Sequence, residues 1–580
     1  MKVINEERIE KILKIVSIFI IVCFCALLFP QVRKLIVEVG EKVLGRDLSV
    51  YMKVLFTNSL FIILLFGVFL TLLLQKNKTI YIQDFINKHG KRFFIFVSAG
   101  AVAIGMIIRI VMYIKCRSFW GDESALAASI VLRNLSELFV SPLLDNQSAP
   151  VLYVIAVKLI SSILGYSEFS LRIFSFISLL GLLICEILLL KKAFNFDNFK
   201  IAVVVTMTVL SPNYIYYSNE LKPYMGDAFF VVLALLLYYF YAQRKIRLPV
   251  LTALYILLLG FSTPVIFFIG GILFNEFIAS ILNKNKKQAL FVVLSGSVIL
   301  VVFGLYYYWW LSSVMDYMKS YWGIPHIWQL NSLLSIGGDW YGALFIKCFV
   351  VPFAFLGIFF LIKSKNKIAF SVALSLLFVF LASLMGYWPM IDRLWLFMPV
   401  MILIFAPCGI DFIRHKIKSK DIVDTMEFFL FSVLIILLSV NCLKYTGDKM
   451  YKERQEVNPL IFYVQKNIKE DEKLYVYPGA RRAFDFKNGY NSMKVGNAAK
   501  DNVIYGKDDN EYEWYESIVG NELRSILNNR KTYLLFQHYE DGIDKGLSVL
   551  KNYGNLTKIM NVYNTPLYFF ELDEGKNREY

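Results

Sequence analysis

Long apolar segments alternate with short polar ones along most of the chain. Runs of about 18 to 23 apolar residues, each long enough to cross a hydrocarbon core of about 30 Å as a helix, recur as far as Leu443. We count about thirteen such runs, which predicts a polytopic all-α membrane protein. Beyond Leu443 the sequence becomes mixed and charged, and residues 444–580 are predicted to form a soluble α/β domain.

The soluble segment has its own pattern of short buried strands and helices. It contains neither a dinucleotide-binding fingerprint nor a P-loop, so we expect no nucleotide site there. The predicted strands are Lys473–Tyr477, Thr532–Phe536 and Leu567–Glu571, and the predicted helices are Asn521–Asn529 and Gly542–Tyr553.

Composition agrees with a membrane protein. The mean hydropathy is +0.55, and only 18% of the 580 residues are charged. The net charge of +16 comes largely from clusters in the loops between every second pair of spans, so the positive-inside rule explains it better than nucleic-acid binding does. We therefore expect a multi-pass plasma-membrane protein with a cytoplasmic N-terminus and an extracytoplasmic C-terminal domain. One basic loop, residues 31–53, falls on the outer side and departs from this rule.

The first candidate site is the segment Ser118–Ser124, which follows a predicted span over Phe93–Ile114. Asp122 and Glu123 are adjacent there, and ionisable groups close to a membrane are costly unless they face water or take part in chemistry. Two close carboxylates also raise the pKa of one of them, which suits a base near neutral pH. Acidic pairs are common at helix starts, however, so an ordinary helix start explains them equally well.

Further polar groups follow on the segments that are predicted to be external. Val151–Leu164 is too short to span a bilayer and is predicted to be an interfacial helix. An aromatic belt with solvated ion pairs is the alternative explanation for the loop between the predicted spans Ile201–Tyr217 and Met225–Tyr241. The external candidates are Asn146, Gln147, Arg172, Glu220, Lys222, Tyr224, Asp316, His326, Asp339, Asp392 and Arg393.

No metal site or cofactor is expected. The four histidines are scattered without the spacing of a metal site, and the seven cysteines include no CxxC pair.

The ordered set of motifs over about 93–414 resembles the GT-C membrane glycosyltransferases. Within that superfamily it is most similar to the branch of protein O-mannosyltransferases, aminoarabinose transferases and related bacterial enzymes. The motifs are Gly-Asp-Glu-Ser at 121–124, Asn-Gln-Ser-Ala-Pro at 146–150, Tyr-Ser-Glu-Phe-Ser-Leu-Arg at 166–172, Tyr-Ser-Asn-Glu-Leu-Lys-Pro-Tyr at 217–224, and Asp-Arg-Leu-Trp-Leu-Phe-Met-Pro at 392–399.

The resemblance implies a division of the chain. Residues 93–443 would be the GT-C transmembrane catalytic domain, with residues 115–168 as its first catalytic external loop and residues 1–92 as two additional transmembrane helices. Aminoarabinose transferases have Gln-Lys where this chain has Gln147-Ser148. The substrate of that subgroup is therefore not carried over.

The resemblance also implies a reaction. A sugar on polyprenyl phosphate would be transferred, with inversion, to an extracytoplasmic protein, lipid or cell-wall glycan. Asp122 matches the catalytic Asp of the family and would be the general base, and Glu123 would orient it or bind the acceptor. The donor phosphate would be held by Arg172, Lys222 and Arg393, and the substrate by Asn146, Gln147, Glu220 and Tyr224.

Two other classes of membrane protein fit part of the pattern. A lipid or glycan transporter or flippase would also have many spans, but transporters place polar sites near the bilayer midplane and contain repeated halves. The sequence shows no internal repeat. A structural or sensory membrane protein would not need carboxylates and cations on successive external loops. The test that separates them is whether Asp122, Arg172, Glu220 and Arg393 converge in one cavity.

Overall fold

The structure is a computed structural model. It describes residues 6–44, 83–312, 344–389, 391–416, 420–444, 455–488, 502–506, 523–537, 541–563 and 565–573, with seven single positions between 56 and 74. The predicted candidates Asp316, His326 and Asp339 lie outside the described residues, as does most of the predicted second span.

Helices dominate the chain up to residue 444, where apolar side chains recur with helical spacing. In chain order they are α1 (Glu6–Ala26), α2 (Pro30–Leu44), α3 (Lys91–Lys115), α4 (Gly121–Leu132), α5 (Leu135–Val140), α6 (Val151–Leu164), α7 (Glu168–Lys192), α8 (Asn198–Leu210), α9 (Pro212–Tyr217), α10 (Tyr224–Ala242), α11 (Leu248–Phe261), α12 (Val265–Leu282), α13 (Lys286–Tyr306), α14 (Leu344–Lys363), α15 (Lys367–Leu384), α16 (Phe397–Lys416) and α17 (Lys420–Lys444).

The remainder of the chain mixes helices with strands. Its elements are α18 (Asn458–Asn467), β1 (Lys473–Val476), α19 (Pro478–Lys487), β2 (Val503–Tyr505), α20 (Leu523–Leu527), β3 (Lys531–Leu535), α21 (Asp541–Leu550), β4 (Gly554–Val562) and β5 (Thr565–Leu572). The predicted class, a polytopic all-α membrane protein with a C-terminal α/β domain, is confirmed.

Among the described residues, eight helices are long and apolar enough to cross a membrane, or nine if the bent pair α1 and α2 is counted as one span. The prediction of about thirteen spans is not reproduced in this part of the chain. One reason is a break at Pro212, which divides the predicted span Ile201–Tyr217 into α8 and α9. Proline disfavours a helical conformation at the residue before it, and Ser211 is extended, so Pro212 begins a new helix.

The chain divides into two compact units. The first consists of residues 1–110, 175–218 and 223–444 and contains the long helices. Within it, α14 and α16 approach closely at Gly357 and Gly409, where an added Cβ would clash with the backbone of the facing helix. Small residues permit this contact between membrane helices, whose association depends on close packing.

The second unit consists of residues 111–174, 219–222 and 445–580. Its sheet has the strand order β2-β1-β3-β5-β4, in which β1 pairs in parallel with β2 and β3, while β5 pairs antiparallel with β3 and β4. Leu474, Val476, Leu534, Leu567 and Phe570 are fully buried and belong to its core. The three predicted strands correspond to β1, β3 and β5, whereas β2 and β4 were not predicted.

Helix α19 of this domain packs on α4 within the second unit. The rings of Phe119 and Phe486 have centroids 4.8 Å apart, and Gln537 donates a hydrogen bond of 2.9 Å to the carbonyl of Phe119. An ion pair joins Arg482 to Asp145 at 3.0 Å. The C-terminal domain therefore contacts the segment that contains Asp122.

Candidate active site

Asp122 and Glu123 lie in the first turn of α4, just after Trp120, whose backbone is extended. Negative side chains are favourable there because the helix dipole places partial positive charge at the N-terminus. The helix-start explanation thus describes the local structure correctly. Successive residues of a helix point about 100° apart, however, so the two carboxylates can have different surroundings.

Glu123 is completely buried and is held by several donors. Its Oε1 atom accepts from Arg172 Nε at 2.8 Å and from the backbone N–H of Leu221 at 2.7 Å. Its Oε2 atom lies 2.8 Å from a terminal guanidinium nitrogen of Arg172 and 3.1 Å from one of Arg117. One carboxylate therefore joins the start of α4, the N-terminal part of α7 and the short segment 219–222.

Arg172 is itself fixed from more than one side. It donates to the carbonyls of Arg117 at 2.7 Å and Ser118 at 3.3 Å, and its guanidinium lies 4.7 Å from the ring centroid of Phe119. A planar guanidinium that engages a carboxylate through two nitrogens gives a more rigid contact than an ammonium can. Arg172 therefore holds the backbone that leads into α4.

The neighbouring Asp122 has a different environment. Its side chain is 31% exposed, whereas that of Glu123 is fully buried. The Nζ atom of Lys222 lies 3.6 Å from Asp122 Oδ2 and donates to Gln147 Oε1. A partly accessible carboxylate thus stands beside a buried ammonium, and Gln147 helps to place that ammonium.

Glu220 adds a further link to the same turn. Its Oε1 atom accepts a hydrogen bond of 2.7 Å from the indole N–H of Trp120. Glu220 is buried and lies two residues before Lys222 in the segment 219–222. This short segment consequently contacts both Trp120 and Asp122.

A residue of the C-terminal domain anchors the segment before α4. The Oε2 atom of Glu456 accepts from the backbone N–H of Ser118 at 3.1 Å and from its hydroxyl at 2.9 Å. The Ser118 hydroxyl in turn accepts from the backbone N–H of Asn458 at 2.9 Å. Asn458 also donates to Glu168 at 3.0 Å, so this anchor extends to α7.

Glu123 and Glu456 have opposite electrostatic settings. Burial alone would raise the pKa of Glu123, but Arg117 and Arg172 outweigh this and hold its pKa well below the ordinary range. Burial raises the pKa of Glu456, and its hydrogen bonds from Ser118 offset only part of that rise. Glu123 is therefore a permanent anion at neutral pH. The rise in pKa expected for one member of an adjacent pair does not occur at Glu123.

The structure brings most of the predicted site residues into the second unit. Asp122, Glu123, Gln147, Arg172, Glu220 and Lys222 are joined there by the contacts above, through Trp120 and Leu221. Asn146 belongs to the same unit but is exposed, with a left-handed backbone. Tyr224 and Arg393 belong to the first unit, where the ring of Tyr224 packs against Tyr217.

Sequence reasoning missed several participants. Arg117 and Trp120 stand within six residues of Glu123, so their position next to the motif was a usable signal. Glu456 and Asn458 gave no signal, because they lie more than 300 residues away in a segment without a recognisable motif. Among the described residues, no group of three or more His, Cys, Asp or Glu side chains could hold a metal ion.

The structure is similar to two solved structures of ArnT from Cupriavidus metallidurans. The apo structure gives a TM-score of 0.48 at 10% identity and covers 82% of this chain and 98% of that one. The structure bound to undecaprenyl phosphate gives 0.47 at 10% identity, with 81% and 97% covered.

A third solved structure is that of the Archaeoglobus fulgidus oligosaccharyltransferase in complex with Zn and sulfate. Its TM-score is 0.43 at 10% identity, and 79% of this chain and 71% of that one are covered. No family model and no curated protein matches the sequence.

The Glu123 network predicts a characteristic dependence of stability on pH. Glu123→Gln leaves the buried Arg172 and the 12% exposed Arg117 without their counterion, which costs about 3–5 kcal/mol. Because the folded-state pKa of Glu123 is depressed, its carboxylate stabilises the fold above the unfolded-state pKa of about 4.3, and this contribution is lost as the pH falls below that value. We expect a Tm difference between wild type and variant that is constant from about pH 8 to 5 and shrinks below about pH 4.

The matched control is Glu137→Gln, which removes an exposed carboxylate from the capping box of α5. Glutamine can replace glutamate in a capping box, so its Tm should stay close to that of wild type at every pH. If the Tm of Glu123→Gln equals that of this control, the ion pairs of Glu123 with Arg117 and Arg172 contribute nothing to the stability of the fold.

Proposed function

We propose that this chain is a membrane glycosyltransferase of the GT-C type. It transfers a sugar from a polyprenyl-phosphate donor to an acceptor on the outer side of the membrane, and the configuration at the anomeric carbon inverts. The observation that supports this best is the contrast, in one helical turn, between the partly exposed Asp122 and the fully buried, ion-paired Glu123. The order of the sequence motifs, which resembles that of these enzymes, is the second line of support.

Asp122 has the environment that a general base requires. Its carboxylate is partly exposed, so a substrate hydroxyl could reach it, and the turn beneath it is fixed by the buried ion pairs of Glu123. Catalytic groups are most effective when rigid surroundings hold them in position. In the proposed reaction Asp122 accepts the proton of the acceptor hydroxyl while that oxygen attacks the anomeric carbon.

The leaving group of this reaction is the polyprenyl phosphate. The bond between the anomeric carbon and the phosphate oxygen breaks, and both electrons stay on the phosphate. A cation near that oxygen lowers the barrier because it stabilises charge that develops in the transition state. Lys222 is the cation that lies next to Asp122, at 3.6 Å, and we assign it this function.

Arg172 receives a different assignment. Its guanidinium is already committed to Glu123 and to two backbone carbonyls, so a phosphate would have to displace these contacts. We propose that Arg172 and Glu123 position the loop. Arg393 stays a predicted second phosphate ligand. The predicted substrate contacts are still Asn146, Gln147, Glu220 and Tyr224. Of these, Gln147 would act by positioning Lys222, and Glu220 by positioning Trp120.

We also propose that the domain after Lys444 lies on the outer side of the membrane, together with Asp122. The hydrogen bonds from Ser118 to Glu456 and the ion pair between Asp145 and Arg482 support this, because they join that domain to the loop of Asp122. With the positive-inside assignment of the basic loops, this gives a cytoplasmic N-terminus.

Asp122→Asn tests the general base. The amide keeps the shape of the side chain but cannot accept the proton, so the rate of transfer should fall by about 10²- to 10⁴-fold with little change in Tm. The measurement is transfer by purified protein from a panel of polyprenyl-phosphate sugars, with Glu137→Gln as the control that keeps wild-type activity. A rate for Asp122→Asn within threefold of wild type would remove Asp122 from the chemistry.

Lys222→Met tests the cation. Loss of one charged contact to the phosphate should lower kcat/KM for the lipid donor by about 10- to 100-fold. Lys222→Arg should recover part of this, because it restores the charge with a different geometry. Lys466→Met, at an exposed position of α18, is the control. An unchanged kcat/KM together with a lower Tm for Lys222→Met would make Lys222 a structural residue.

A further inference from the structure

A separate cavity of about 470 Å³ lies in the second unit, behind the two arginines that hold Glu123. This volume is within the range of about 300–1,000 Å³ that is usual for small-ligand sites. Neither Asp122 nor Lys222 lines it. The basic residues in its wall are Lys115, Arg117, Arg172 and Lys487.

The charge of the cavity wall favours an anion. The carboxylate in the wall is Glu456, which accepts hydrogen bonds from Ser118. Outside the wall, Glu123 pairs with both arginines, and Glu168 lies 3.6 Å from Lys487. When Glu123 and Glu168 are counted together with Glu456, the four basic residues still exceed the three carboxylates by one charge.

Apolar side chains form another part of the wall, beside the amides of Asn219 and Asn458. Phe462 is 56% exposed and Tyr563 is 37% exposed, and Met112, Pro459 and Val562 line the same cavity. Met112 and Lys115 belong to the last turn of α3, which ends a candidate membrane span over Gln83–Lys115. Basic groups beside exposed apolar side chains at the end of a span match the two chemical parts of a phospholipid.

We propose that this cavity binds a phosphate group, carried by an anionic lipid at the membrane surface, at a site distinct from that of Asp122 and Lys222. Lys115 and Lys487 supply the ammonium groups that contact the phosphate, while Arg117 and Arg172 stay paired with Glu123 and add positive charge to the wall. Because Arg117 and Arg172 contact both the cavity and Glu123, an occupied cavity would stabilise the turn that holds Asp122. The proposal concerns binding alone and stands apart from the proposed reaction.

The test uses the full-length protein in a neutral detergent and measures its Tm. One arm adds inorganic phosphate against chloride at equal ionic strength, and the other adds dioctanoyl phosphatidic acid against dioctanoyl phosphatidylcholine. A ligand that binds the folded state raises the Tm in a saturable way, which gives an apparent dissociation constant. The variants are Lys115→Gln, Lys487→Gln and the double variant. Lys466→Gln removes an equal charge from an exposed position outside the cavity wall.

We expect phosphatidic acid to raise the Tm of wild type and of Lys466→Gln with the same dissociation constant. Each cavity lysine that is removed should weaken binding by about 10-fold. An equal response to inorganic phosphate would show that the site takes free phosphate instead. The proposal is overturned if neither ligand raises the Tm of wild type, or if both single lysine variants respond as Lys466→Gln does. The single variants decide the outcome if the double variant does not fold.

Discussion

The buried carboxylate of Glu123 is the constraint on which the rest of the site depends. A charge without solvent is tolerated only when opposite charges and hydrogen bonds surround it. Arg117, Arg172 and the backbone N–H of Leu221 supply these. Because they come from three separate stretches of chain, the need to neutralise one anion fixes how the start of α4, α7 and the segment 219–222 meet.

This arrangement gives two adjacent acids different environments. Helical geometry turns Glu123 inward and leaves Asp122 partly exposed, beside Lys222. The inward acid is charged at neutral pH, and the side chain of the outward acid is 31% exposed. A second anchor, the pair of hydrogen bonds from Ser118 to Glu456, brings the C-terminal domain into the same unit. That domain is thus part of the framework of the site.

Periodicity and local motifs predicted what depends on neighbouring residues. Val151–Leu164 is a helix with the predicted bounds, β1, β3 and β5 follow the predicted strands, and the Asp-Glu pair lies at a helix start. Strand β4 was missed because its residues are largely half-buried or exposed, and β2 because it has three residues.

Contacts between distant segments could not be predicted in this way. Arg172 was interpreted as a phosphate ligand, since nothing in its local sequence shows that its partner is Glu123, 49 residues earlier. The contact between Lys222 and Asp122 spans 100 positions, and that between Glu456 and Ser118 spans 338. Such pairs are determined by packing of the whole chain, which a single sequence does not display.

The central claim is that the protein consumes a polyprenyl-phosphate sugar on the outer side of the membrane. The most direct measurement is a comparison of the lipids of a deletion strain with those of the same strain complemented by wild type or by Asp122→Asn. We predict that one polyprenyl-phosphate sugar accumulates in the deletion strain, returns to its normal level with wild type, and stays high with Asp122→Asn. An unchanged content of every lipid-linked sugar, or full correction by Asp122→Asn, would contradict the account.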